Sequence, residues 1–183
     1  MRYTAFALTC CLWLVPQTAS AAPPAELLGK SVVLSISEVR ASRPVSGGPV
    51  TSSSASMQFS VYISTAGRTF VRSARSLTTR KRGTESKDID TAPGGTIGVS
   101  TASDVSFSGN TMTAIMAMTS GARRITVNFQ GSGCSATVAN AKEGGQNMII
   151  RSRYTGQQRE VISSQYTVHG CSIKDGNVFG GEK

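Results

Sequence analysis

Histidine is almost missing from this chain, since His169 is the only one among its 183 residues. A Ser-His-Asp site would need it as the general base, yet the sequence has no G-x-S-x-G motif to carry the nucleophile. His169 and Cys171 would share one face of a strand, so a Cys–His pair is geometrically possible. A disulfide at Cys171 would remove that nucleophile. We therefore expect no enzymatic activity and interpret His169 as a turn residue.

Cysteine is also scarce, and Cys10 and Cys11 lie inside an N-terminal apolar run. The remaining pair, Cys134 and Cys171, cannot build a usual zinc site with a single histidine. No motif indicates a cofactor, so we expect neither a cofactor nor a metal. In an exported protein such a pair usually forms a disulfide, and closing a loop of about 40 residues contributes roughly 4 kcal/mol. We predict a disulfide between Cys134 and Cys171.

Long apolar runs are absent except near the N-terminus, between residues 5 and 15. A positive charge at Arg2 precedes this run, and Ala19-Ser20-Ala21 follows it, which is the pattern of a secretory signal peptide. The run is shorter than the roughly 20 residues that span a bilayer. We therefore expect a signal peptide over 1–21, a lead-in segment over 22–30 and a single β-rich domain over 31–183. The location would be periplasmic or secreted.

Alternating polar and apolar residues dominate the chain beyond the leader. The clearest strand has Met57, Phe59, Val61 and Ile63 on one face. Similar short segments separated by turn residues predict an all-β fold, an antiparallel meander of about 8–10 strands forming a small barrel or sandwich. We expect loops over 41–56 and 73–96, two separate final strands over 161–168 and 171–173, and a turn at Leu27-Leu28 that plugs the domain.

A tight connection at Thr65-Ala66-Gly67 predicts a hairpin. If Gly67 adopts the left-handed conformation of a three-residue loop, Tyr62 faces Phe70 and Val61 faces Val71. This register pairs apolar with apolar residues, so we prefer it to a two-residue loop.

The chain resembles a group of uncharacterised exported bacterial β-rich proteins with no assigned activity. The resemblance implies the fold and the export, and it transfers no site. It is carried by Leu28-Gly29-Lys30-Ser31-Val32, Val61-Tyr62-Ile63-Ser64 with Ala66-Gly67-Arg68, Phe107-Ser108-Gly109-Asn110, Gly121-Ala122-Arg123-Arg124-Ile125, Lys142-Glu143-Gly144-Gly145 and Gly176-Asn177-Val178-Phe179.

Acidic residues are few: 10 Asp and Glu stand against 19 Lys and Arg, for a net charge of +9. Six of the cations follow one another without an intervening acid, and two aromatic residues lie beside the first of them. Arginine next to aromatic rings suits phosphate or sulfate groups and the flat rings of sugars or bases. The predicted anionic-ligand site comprises Tyr62, Arg68, Phe70, Arg72, Arg75, Arg80, Lys81 and Arg82.

Three functions are compatible with these features. The first is a non-enzymatic binding module for an anionic polymer, such as an acidic polysaccharide, lipopolysaccharide or nucleic acid. The second is a calycin-like barrel that carries a small apolar ligand in a cavity lined by methionines. The third is an inhibitor that binds a protein. An empty barrel interior would favour the carrier, and a filled one the polymer binder. The carrier's lining would be Met57, Met112, Met116 and Met118.

Overall fold

The chain folds into two antiparallel β-sheets, one of them curled into a half-barrel, so the all-β prediction is confirmed. The computed structural model describes residues 21–81, 84–86, 96–99, 104–116, 122–141, 148–151 and 156–179. Residues 1–20, which carry the predicted signal peptide up to its last position, lie outside these ranges. No helix within the described residues is long and apolar enough to cross a membrane.

Eleven strands occur in the described residues, one more than the upper end of the predicted range. Two short strands have no predicted counterpart: Thr84–Ser86 lies within the loop expected over 73–96, and Thr96–Val99 begins at the last residue of that loop. The strands are β1 (Lys30–Pro44), β2 (Thr51–Ile63), β3 (Thr69–Lys81), β4 (Thr84–Ser86), β5 (Thr96–Val99), β6 (Val105–Ser108), β7 (Thr111–Met116), β8 (Arg123–Gln130), β9 (Gly133–Asn140), β10 (Met148–Arg151) and β11 (Gln158–Asp175).

The larger sheet has seven strands in the order β10-β11-β1-β2-β3-β4, with β5 also paired to β3, and the smaller has the order β6-β7-β8-β9. Both sheets contribute to one hydrophobic core. Phe59 and Val61 of the larger sheet and Ile125 and Val127 of the smaller sheet are almost fully buried there. The face of each sheet that lines this core is called the inner face below, and the opposite face the outer face.

The N-terminal lead-in closes one end of the core. A 3-10 turn at Ala25–Leu27 buries Leu27 within the core cluster, whereas Leu28 stays exposed. The predicted plug is therefore confirmed for Leu27 only. The backbone N–H of Gly29 then donates to the carbonyl of Ile63, which fixes the entry into β1.

The loop predicted over 41–56 is wrong at both ends, because β1 continues to Pro44 and β2 begins at Thr51. The inward row of β1 does not stop at Ile36. It continues with Glu38 and Arg40, which are buried although they are charged. A pattern of apolar alternation alone therefore underestimates the strand. The loop predicted over 73–96 is wrong over residues 73–81, because β3 continues to Lys81.

The two final strands predicted around His169 are one continuous strand, β11, which contains two β-bulges. The register against β1 skips His169 between Val168 and Gly170, and skips Ile162 further back. A bulge adds one unpaired residue and shifts which residues face inward. The His-Gly pair that suggested a turn therefore marks a bulge within a strand.

Candidate functional site

The hairpin between β2 and β3 has the predicted register. Tyr62 pairs with Phe70 and Val61 with Val71. Gly67 has a φ of 77°, in the left-handed region that glycine adopts most readily. The Ser64 hydroxyl accepts a hydrogen bond from the N–H of Arg68 at 3.0 Å. The loop is therefore held from within, and it fixes the direction of the side chains on the strand after it.

These side chains form a small basic and aromatic surface, which we call the hairpin patch and define as Tyr62, Arg68, Phe70 and Arg72. The two rings lie 6.0 Å apart between centroids at an angle of 31°. The Arg68 guanidinium lies 5.6 Å from the Phe70 centroid, within the range of a cation–π contact. Arg68 is exposed and both rings are half-buried. The patch thus offers one accessible cation beside two rings on the outer face.

Arg72 belongs to the same face, but its guanidinium is engaged with the C-terminal segment. Its Nη1 donates to the carbonyl oxygen of Phe179 at 3.4 Å. Arg72 is half-buried and Phe179 is buried. This arginine therefore has a structural contact in addition to any role toward a ligand.

The other predicted cations are distributed along β3 rather than gathered at the hairpin. Arg75 pairs with Met57, a core residue, so its register position belongs to the opposite face from that of Arg72. Arg80 pairs with Glu85 of β4, and Lys81 with Thr84. Counted along the strand at about 3.3 Å per residue, Arg80 lies roughly 40 Å of chain beyond Arg68. Arg82 lies outside the described residues.

Cys134 of β9 and Cys171 of β11 form the predicted disulfide, with their Cα atoms 5.6 Å apart. The bond connects the two sheets covalently. The bulge at His169 turns this side chain to the outer face, where its Nε2 lies 2.8 Å from the Ser37 hydroxyl, whereas Cys171 packs against the core. The idea that His169 and Cys171 share a face is therefore wrong.

A group of charged and polar side chains lies between the two sheets. We call it the interior cluster and define it as Glu38, Arg40, Arg123 and Tyr166. Arg40 donates to both carboxylate oxygens of Glu38 at 2.7 Å. The Tyr166 hydroxyl donates to Glu38 Oε1 at 3.0 Å and accepts a hydrogen bond from Arg123 Nε. Because Arg123 comes from β8, the cluster joins the two sheets through charged groups.

The members of the interior cluster bond to one another across the two sheets, which indicates a stabilising role. Glu38 and Arg123 are at most 1% exposed. Burial raises the pKa of Tyr166, and the nearby Glu38 carboxylate raises it further, while Arg123 opposes both. The apolar alternation of the sequence did not predict this cluster. The available signal was that Glu38 and Arg123 extend the inward rows of Ile36 and Ile125 by one step.

Three of the four methionines proposed to line a carrier cavity lie in the hydrophobic core. Met57, Met112 and Met116 are at most 6% exposed and belong to the hydrophobic core. Met118 lies outside the described residues. Within the described part of the chain, no three acidic, cysteine or histidine side chains are grouped so that they could hold a metal ion.

Comparisons with protein-family models, curated proteins and solved structures find no match for this chain.

Proposed function

We propose that this chain is a non-enzymatic exported module that binds an anionic polymer through the hairpin patch. The observation that carries the proposal is the exposed Arg68 guanidinium over the Phe70 ring, with Tyr62 beside it. A polyanion presents a row of charges to the cation, and its bases or sugar rings can stack on half-buried aromatic side chains. The net charge of +9 would attract such a polymer before the specific contact forms.

Export is part of the proposal and rests on two features. The first is the leader pattern that ends at Ala21. The second is the disulfide, since such bonds persist mainly in oxidising compartments. The packing of Met57, Met112 and Met116 in the core gives no support to a carrier of apolar ligands.

The test compares two variants that each lose one exposed positive charge. Arg68→Ser removes the cation of the hairpin patch, and Arg124→Ser removes one from β8 on the smaller sheet. Binding of a fluorescent single-stranded DNA and of a heparin fragment would be measured by anisotropy. A cation–π and phosphate contact worth about 1 kcal/mol predicts a roughly fivefold greater loss for Arg68→Ser.

Phe70→Leu tests the ring separately because it keeps an apolar side chain on the strand. We expect it to weaken binding of the DNA by at least about fivefold, since stacking on a base is worth roughly 1–3 kcal/mol. Thermal unfolding of each variant controls for misfolding. If Arg68→Ser and Arg124→Ser lose the same affinity, binding reflects diffuse charge and the hairpin patch is not the site.

A further inference from the structure

The chain ends its described part in a short segment that folds back onto the larger sheet. We call residues 176–179 the tail. The Ser31 hydroxyl donates to the carbonyl of Gly176 at 2.7 Å and accepts from the N–H of Val178 at 3.2 Å. The Gly176 N–H donates to the carbonyl of Gly29 at 2.9 Å. The beginning of the tail is therefore anchored on β1.

The other end of the tail contacts β3 through the Arg72 side chain, which donates to the carbonyl of Phe179. Strand β2 lies between β1 and β3 in the sheet, so the tail and the Arg72 side chain together span β2. Two interstrand spacings amount to about 10 Å, and three residues can span roughly that distance. The anchoring hydrogen bonds and the reach of the chain agree on this path.

Burial on the outer face follows the same path. Ser31, Val33 and Ser60 hold outer positions in the register, and they are only 0%, 9% and 4% exposed. Ser60 pairs with both Val33 and Arg72, so it lies on β2 between the anchored end of the tail and Arg72. Farther along the same face, Ser35 and Gln58 are exposed. The outer face is thus covered where the tail runs.

We infer that the tail is an autoinhibitory strap that withholds part of the polymer-binding surface. Ser31 pairs with Tyr62, and Arg72 belongs to the hairpin patch, so the strap borders and engages the proposed site. Release of the strap would remove the Phe179 carbonyl from Arg72 Nη1, on the same face as Arg68 and Phe70. This inference rests on the proposed function.

The experiment weakens the strap without deleting a binding residue. Ser31→Ala removes both hydrogen bonds to the tail, and Phe179→Ala removes its buried ring. Ser60→Ala is the matched control, because this buried serine on the same face makes no hydrogen bond to the tail that the structure records. Hydrogen exchange at the amides of Val178 and Phe179 would report release of the strap. Anisotropy with single-stranded DNA would report affinity.

We expect faster exchange and an affinity that rises by roughly fivefold in Ser31→Ala and Phe179→Ala, as for one added arginine–phosphate contact. Ser60→Ala should change neither. If exchange accelerates while affinity stays constant or falls, and Arg68→Ser still weakens binding, the strap is overturned and the proposed function stands. If the tail amides exchange as slowly in both variants as in the wild type, the anchoring by Ser31 and Phe179 is overturned. If Arg68→Ser does not weaken binding, the proposed function itself fails.

Discussion

At the scale of single residues, the interior cluster shows how a small β-protein can bury charge. Glu38 accepts hydrogen bonds from Arg40 and from Tyr166, and Arg123 reaches the same group from the other sheet. Burying an unpaired charge is costly, and removing one partner of a buried pair typically costs about 3–5 kcal/mol. The cluster therefore favours one relative placement of the two sheets, because any other would separate these groups.

Tyr166 makes the stability of the protein depend on pH at the alkaline end. Its pKa is raised in the folded chain, first by burial and then by Glu38, so the folded state holds the phenol proton more tightly than the unfolded state. The resulting stability is complete below about pH 10, the unfolded value, and is lost as pH rises through the folded pKa. We expect Tyr166→Phe to lose about 1–3 kcal/mol at neutral pH through the missing hydroxyl. It should also lose less additional stability than the wild type above about pH 10.

Urea unfolding at a series of pH values would measure both effects. Tyr62→Phe, on the outer face, is the matched control for the loss of a tyrosine hydroxyl. If Tyr166→Phe changes the loss of unfolding free energy above about pH 10 no more than Tyr62→Phe does, the interior cluster does not control this pH dependence.

At the scale of elements, the disulfide links β9 covalently to β11. The bonded residues are 37 positions apart, so the bond restricts the unfolded chain as well as joining the sheets. We expect the double variant Cys134→Ser with Cys171→Ser to lose up to about 4 kcal/mol of unfolding free energy. A reductant should destabilise the wild type and leave the double variant unchanged. Two thiols that react with an alkylating agent in the unreduced native protein would contradict the bond.

The hairpin and the long strands show the reach and the limits of prediction from local sequence. The register at Gly67 was predictable because loop length and the pairing of Val61 with Val71 are local properties. The extension of β1 past Ile36 was not, because Glu38 is a charged residue at an inward position, and its partners Tyr166 and Arg123 come from distant parts of the chain. The bulge at His169 likewise appears only in the register against β1.

The candidate site was predicted in part for the same reason. Tyr62, Arg68 and Phe70 are brought together by a local turn, and the alternation along β2 and β3 places them on one face. The contact of Arg72 with Phe179 joins residues 107 positions apart, which no local pattern contains. The cations of β3 are close together in the sequence. In an extended strand they are spread over about 40 Å of chain, and their positions alternate between the two faces of the sheet.

At the scale of the whole molecule, the positive charge and the hairpin patch make separable contributions to binding. Any protein with a net charge of +9 binds a polyanion weakly, and that binding weakens with salt as counterions are released. A defined contact between one arginine and one phosphate of the polymer adds its own term to the salt dependence of the affinity. The dependence of affinity on salt therefore distinguishes a compact patch from a stripe that runs along β3.

The last prediction compares two double variants that each lose two positive charges. Arg80→Ser with Lys81→Ser removes two positive charges from the C-terminal end of β3. Arg124→Ser with Arg151→Ser removes two exposed positive charges, one from β8 and one from β10. Because the far end pairs with β4, where Glu85 is the register partner of Arg80, we expect both double variants to lose the same small amount of affinity for single-stranded DNA. Arg68→Ser alone should reduce the magnitude of the slope of log affinity against log salt by about 0.7, the value for one phosphate of a single strand. If the far-end variant instead reduces the slope by about 1.4 while the control does not, the binding surface extends along the whole of β3.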